Sequence, residues 1–281
     1  MQTLRDAEIL FTGMPDLPKY APNLRWLCTP SAGVEPFVKP GVFASPDVLL
    51  TNSSGAYGTT IAEHIIMVTL ELMRRQMDYT EIVRRREWRR DLPIRSIRNS
   101  RVTLLGTGDI GQEAAIRLRA FSPRSLTGVN RSGRNPGDLF DQVVRQDRLD
   151  DILPETDLLI MSLPGTPETD GLMSRERLAL LPESAFIVNV GRGNAIDQRA
   201  LAERLASGRL AGAALDVFER EPLPPEDALW DCPRLLITPH TAGNMTLDYT
   251  VERIMALFLE DFENYCAGRP LSRLVRRDRG Y

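Results

Sequence analysis

Short apolar runs separated by proline and glycine mark the first 56 residues, and three of them, 7–12, 24–29 and 48–52, read as strands. The period changes at 59–75, where apolar residues recur at helical spacing between opening threonines and the closing pair Arg74 and Arg75. Capping and dipole arguments favour a long, mostly buried helix there. From residue 101 to about 239, strand-like and helical stretches alternate, the strand-like ones being 102–105, 126–130, 157–162, 185–190, 212–217 and 235–238. Such alternation predicts a parallel sheet covered on both faces by helices. The last helical stretch, 247–267, is too short for a domain and is expected to pack back on the N-terminal piece. The expected architecture is α/β: a doubly wound, parallel-sheet domain at 93–244 and a smaller α/β lobe built from 1–92 with 245–281, with a cleft crossed by two connections.

Composition narrows the classes. A chain of 281 residues with 42% hydrophobic residues can bury one large core or two, the length favouring two, and a net charge of −3 with both signs mixed along the chain argues against nucleic acid or a membrane as partner. The basic run 84–90 reads as a solvated helix end leading into a connector. No apolar run approaches the roughly 18 residues of a membrane span, and the N-terminus has no signal-peptide core. Cys28, Cys232 and Cys266 lie too far apart for a C-x-x-C metal or redox site, so no metal is expected and a reducing cytoplasm fits.

The chemistry begins at 101–118, where an apolar strand runs through a glycine turn into a helix. Gly106, Gly108 and Gly111 have the G-x-G-x-x-G spacing of a dinucleotide cradle, with Asp109 and Ile110 inside it. The first glycine permits the tight turn, the second lets a pyrophosphate approach the backbone, and the third lets helix and strand pack closely. The phosphates would sit at the helix N-terminus, although a strand–helix turn without ligand can show the same spacing. A carboxylate for the ribose of NAD is expected roughly 20 residues further on. Asn130, Arg131 and Ser132 stand there instead, followed by Arg134, which favours NADP with NAD as the second choice, against the alternative of chance surface arginines in an arginine-rich chain.

Only two histidines occur. His64 lies within the helical stretch 59–75 and reads as a core or interface histidine, whereas His240 follows a strand and a proline in 235–243. An acid/base histidine works best with a carboxylate on its other ring nitrogen, and Glu221 is the candidate. Arg192, held between Gly191 and Gly193 after another apolar strand, offers a permanent cation for a substrate carboxylate. Residues that follow successive strands of one parallel sheet converge on one edge, so the set Arg192, Glu221 and His240 is more specific than any member.

With these pieces in order, namely 31–34, 106–111, 163–169, 189–193, 214–218 with Glu221 and Pro222, and 238–243, the chain resembles the D-isomer-specific 2-hydroxyacid dehydrogenases over nearly its whole length. The resemblance implies a Rossmann nucleotide domain beside a flavodoxin-like substrate lobe, with Arg192 binding a 2-oxo acid, His240 protonating its carbonyl oxygen and Glu221 tuning His240. It places Asp216 near the nicotinamide and the backbone of Ala32 and Gly33 against the substrate carboxylate. Leu163, Pro164, Thr169, Val190, Gly191, Ala242 and Gly243 complete the implied cofactor site. Asn130-Arg131-Ser132 resembles the NADP-preferring glyoxylate and hydroxypyruvate reductases of that family, and a cytoplasmic homodimer is the implied assembly. Family members usually open with a strand and helix ahead of the segment matching 7–12, so the expectation is either that Met1 is not the natural start or that the substrate lobe is trimmed. The rival readings are a dinucleotide-sensing binding protein of the same fold, and a relative acting on another 2-oxo acid, such as a phosphoglycerate dehydrogenase.

Overall fold

A computed structural model describes residues 2–277. In chain order they form α1 (Gln2–Arg5), β1 (Ile9–Phe11), β2 (Trp26–Cys28), β3 (Leu49–Thr51), α2 (Gly58–Met73), α3 (Gln76–Arg84), β4 (Arg101–Leu105), α4 (Asp109–Arg119), β5 (Ser125–Asn130), β6 (Gln142–Arg145), α5 (Leu149–Ile152), β7 (Leu158–Met161), α6 (Arg175–Leu180), β8 (Phe186–Asn189), α7 (Gln198–Ala206), β9 (Gly212–Leu215), β10 (Leu235–Ile237) and α8 (Asp248–Cys266). Two compact units result. One takes the described residues up to Tyr57, Pro164–Thr166 and the chain from Met245 onward; the other takes Gly58–Leu163 and Pro167–Asn244.

The larger unit is a seven-stranded parallel sheet in the order β10-β9-β8-β7-β4-β5-β6. Leu158–Met161, Phe186–Asn189 and Gly212–Leu215 are buried at every position, as strands covered on both faces must be. After β6 the chain returns to the far side of β4 and lays down β7 there, so the strand order reverses beside β4. The crevice at the carboxyl ends of the strands at such a reversal is where open α/β sheets receive ligands. The sequence pattern did not mark β6: Gln142-Val-Val-Arg has two apolar residues, neither fully buried, at the edge of the sheet, and pairing with β5 makes it a strand.

The first lobe was expected to run to residue 92, whereas the first unit ends at Tyr57 and α2 belongs to the second. Helix α2 packs against α4, and a β-carbon on Gly58 would collide with the Asp109 carboxylate. That places a negative charge at the start of α2, where a helix dipole favours one.

The smaller unit has three parallel strands in the order β1-β2-β3. Helix α8 returns to this sheet through aromatic rings: Trp26 stacks on Phe258 and Tyr265 with centroids 5.4 Å away in each case, and Phe11 lies 4.9 Å from Phe258. Each such pair adds about 0.5–1.5 kcal/mol beyond its buried area. The buried Asp261 on α8 pairs with Arg273 at 3.1 Å and accepts from Ser272 N–H at 2.7 Å, turning the chain so that Val275 N–H reaches the Leu50 carbonyl at 2.8 Å. Among the described residues no helix is long and apolar enough to cross a membrane, and no group of three His, Cys, Asp or Glu residues could hold a metal ion.

Candidate active site

Strand β4 is followed by Gly106, whose φ of 99° lies in the left-handed region that favours glycine. A β-carbon on Gly111 would strike the Gly106 carbonyl, so the third glycine is set by close packing of α4 on the turn. Gly108, the residue before α4, has nothing within 4 Å of the position a β-carbon would take. The first turn of α4 therefore opens to an approaching anion beside the point of strand reversal, with Ile110 in that turn, and the turn fits a pyrophosphate. The Asp109 side chain is directed at Gly58 and α2.

The loop after β5 is organised by Asn130. Its amide donates to Thr107 Oγ1 at 2.7 Å and to the Arg134 carbonyl at 2.9 Å, and its Oδ1 accepts from Gly133 N–H at 2.6 Å and from Ser132 Oγ at 3.2 Å. Asn130 thus fastens the loop to the glycine turn, while Arg131, Ser132 and Arg134 are exposed on it. No carboxylate stands in 130–134, and these cationic and hydroxyl side chains fit a 2′-phosphate.

Arg192, Glu221 and His240 follow β8, β9 and β10, which are neighbours in the sheet and end in register, Asn189 beside Leu215 and Leu215 beside Ile237. Arg192 and His240 each come three residues after a strand end, and their strands are two spacings, about 10 Å, apart. Asn189, fully buried, accepts from Gly191 N–H at 3.0 Å and donates to the Arg192 carbonyl at 2.9 Å, closing the turn that presents Arg192. The Arg192 guanidinium donates to the Gly191 carbonyl at 2.7 Å. A β-carbon on Gly193 would collide with the Phe218 carbonyl, so this turn lies against the loop carrying Glu221. Glu221 is gripped at both oxygens: Oε1 accepts from Phe218 N–H at 2.9 Å, and Oε2 lies 2.7 Å from His240 Nδ1. With Nδ1 so engaged, Nε2 is the nitrogen left to meet a substrate.

The His240 backbone sits at φ 53°, uncommon for a residue with a side chain, and Asp216 accounts for it. Only 3% exposed, Asp216 takes Thr238 Oγ1–H at 2.6 Å and Thr241 N–H at 2.9 Å on Oδ1, Ala242 N–H at 3.1 Å on Oδ2, and His240 N–H at 2.8 Å on its carbonyl. It is therefore the clamp of the histidine loop, a role the sequence pattern does not announce. Thr238 also contacts His64, and the one available signal was that His64 is the chain's other histidine.

Leu163, Thr169, Val190 and Ala242 are buried and Gly243 half-buried, and a β-carbon on Gly191 would meet the Leu163 backbone within 2.7 Å. Pro164 falls in the smaller unit, as do Ala32 and Gly33. Asn52 donates to the Ala32 carbonyl at 2.7 Å and Ser31 Oγ to the Gly33 carbonyl at 2.8 Å, which fixes the orientation of both peptide groups.

A dinucleotide turn at a strand reversal, beside a carboxylate-bound histidine and an arginine on the same sheet edge, defines a nicotinamide-dependent oxidoreductase. Residues 66–242 match the family described as D-isomer specific 2-hydroxyacid dehydrogenase, NAD binding domain, and the chain belongs to that family. It is 33% identical over 230 residues to glyoxylate/hydroxypyruvate reductase B of Pectobacterium carotovorum, covering 80% of this chain and 71% of the relative. The crystal structure of an NADPH-dependent glyoxylate/hydroxypyruvate reductase from Sinorhizobium meliloti, in complex with NADP and sulfate, is similar at 30% identity and TM-score 0.84, over 100% of this chain and 90% of that one. A D-isomer specific 2-hydroxyacid dehydrogenase family protein from Aeromonas salmonicida is similar at 33% identity and TM-score 0.88, over 99% and 87% of the two chains. The activity that goes with the family is reduction of 2-oxo acids with NAD(P)H.

Proposed function

We propose that this chain reduces a small 2-oxo acid of the glyoxylate or hydroxypyruvate kind to a D-2-hydroxy acid, with NADPH preferred over NADH. The observation that carries the reading is the Glu221 carboxylate held by Phe218 N–H on one oxygen and by His240 on the other. A histidine fixed in this way keeps one ring orientation, with Nε2 directed away from the carboxylate. NADPH, when bound along Gly106–Gly111 and the 130–134 loop, supplies the hydride to the carbonyl carbon. His240 Nε2–H donates the proton to the carbonyl oxygen as charge develops there. Arg192 pairs with the substrate carboxylate, and the Ala32 and Gly33 amides are the further donors proposed for it. Positioning and fixed charge provide most of the acceleration, and proton transfer from a placed histidine contributes about 10²–10⁴-fold.

Leu163, Pro164, Thr169, Val190, Gly191, Ala242 and Gly243 are proposed to line the nicotinamide end of the cofactor site, with Asp216 shaping it from beneath. The proposed assembly is a cytoplasmic homodimer formed through the nucleotide domain. The matched relatives named as glyoxylate/hydroxypyruvate reductases support the substrate class, and the NADP complex of the Sinorhizobium enzyme supports the cofactor.

The test is NADPH and NADH oxidation with a panel of 2-oxo acids by the wild type and Arg131→Ala. Glyoxylate or hydroxypyruvate should give the highest kcat/KM, NADPH should be preferred, and Arg131→Ala should lower kcat/KM for NADPH by about 10-fold, the size of one charged contact, while sparing NADH. Wild-type preference for NADH, or no turnover of any 2-oxo acid, would overturn the proposal.

A further inference from the structure

His64 lies on α2, and its Nε2 is 3.3 Å from Thr238 Oγ1, two residues before His240. A hydroxyl has one proton to give, and that of Thr238 goes to Asp216 Oδ1 at 2.6 Å, because a carboxylate oxygen only accepts. The Thr238 oxygen is then left to accept, so the proton between His64 and Thr238 belongs to His64 Nε2. Four links converge on Asp216: His64 donates to the Thr238 oxygen, Thr238 donates to the Asp216 carboxylate, that carboxylate accepts from the amides of Thr241 and Ala242, and the Asp216 carbonyl accepts from that of His240. At the far end stands a residue with positive φ, a conformation that persists only where the surroundings over-determine it.

We propose that His64 is a positioning residue for the reaction: as the Nε2–H tautomer it donates to Thr238 and so holds, through Asp216, the loop that aims the His240 imidazole at Glu221. This rests on the reading of His240 as the acid/base, and it deepens that reading. The charged groups that face His64 are Asp216 and Glu71. Burial holds its pKa below the ordinary histidine value, while Asp216 and Glu71 pull less strongly the other way, so the ring stays neutral near neutrality and keeps a single N–H to place. Removal of that donor leaves the Thr238 oxygen with no group to accept from, so that the hydroxyl bonded to Asp216 is less firmly oriented.

Two histidines in the chain give two sets of imidazole signals, which makes the test direct. In histidine-labelled protein, long-range nitrogen–proton correlation should report His64 as the Nε2–H tautomer, assigned by its loss in His64→Gln. Thr238→Val removes the hydroxyl at nearly constant shape, and Thr238→Ser keeps it. Thr238→Val should displace the His240 ring signals at fixed pH and lower kcat by about 10-fold, one hydrogen bond's worth, with KM for the 2-oxo acid nearly unchanged. Thr238→Ser and His64→Gln, which retain the hydroxyl and an amide donor, should lie close to wild type, and His64→Leu should behave like Thr238→Val. The double variant His64→Leu/Thr238→Val should cost no more than the worse single one, since both break the same chain. An Nδ1–H tautomer at His64, an unmoved His240 signal in Thr238→Val, or Thr238→Ser as impaired as Thr238→Val would overturn the proposal. If His64→Leu fails to fold, the Thr238 pair still decides it. Absence of turnover in the wild type would strike the proposed reaction, while the tautomer and the His240 signal would still judge the positioning chain.

Discussion

Two loops on the same sheet edge carry the two side chains proposed to meet the substrate, and they are built differently. The Arg192 turn has extended backbone at Arg192, glycine on either side, and a neutral clamp, Asn189, making two hydrogen bonds. The His240 loop holds a side-chain-bearing residue at φ 53° with an ionisable clamp, Asp216, whose side chain accepts three bonds and whose carbonyl accepts a fourth. A long, flexible cation can find a carboxylate from a relaxed turn, whereas a short imidazole that has to face both Glu221 and a reacting oxygen cannot. The more exacting position has the stronger and more heavily bonded clamp, as charge-assisted hydrogen bonds allow.

That contrast is broken first at Asp216. Asp216→Asn places an amide donor against the Thr238 hydroxyl or a loop N–H, which should cost about 1–3 kcal/mol of stability for the unmatched buried group. The accompanying loss in kcat should be about 100-fold, as expected when a reacting group moves by about 1 Å. Thermal unfolding and steady-state rates check both; wild-type kcat would show that the loop holds its own shape.

Asn189→Ala should do less and do it differently. The Gly191 N–H and Arg192 carbonyl lose their partner, so kcat/KM should fall by about 10-fold, chiefly through a higher KM, because Arg192 is assigned to substrate binding. A fall confined to kcat would put Arg192 in the chemical step instead.

The smallest effect comes from His64 itself. Its folded pKa is depressed by burial, so the unfolded chain takes up a proton that the folded chain refuses. Stability from this group is complete above the ordinary histidine pKa, declines as pH falls below it, and is fully lost below the folded value. The drop in Tm across the mildly acidic range should be shallower in His64→Gln than in wild type; equal slopes would contradict the burial of the imidazole.

The fold was legible because the strands of the large sheet except β6 carry short apolar runs bounded by turn residues, three of them, β7, β8 and β9, buried at every position. Strand β6 escaped because its pairing with β5, not its own apolar content, makes it a strand. The periodicity of 59–75 showed a buried helix face without saying what buries it; α4 and the sheet of the second unit do so. Arg192, Glu221 and His240 were legible as residue types following strands, and the structure brings His240 Nδ1 to 2.7 Å from Glu221 Oε2. Their supports were not legible. Asp216, Asn189 and His64 act through hydrogen bonds made to distant backbone or hydroxyl groups, and a one-dimensional pattern carries no trace of such geometry.

The central claim is that the imidazole after β10 transfers the proton. The most direct measurement is NADPH oxidation with glyoxylate by His240→Ala, paired with NADPH affinity from cofactor fluorescence. The account predicts turnover lowered by at least about 10²-fold with affinity for NADPH nearly that of wild type. Near-normal turnover, or turnover and cofactor binding lost together, would contradict it.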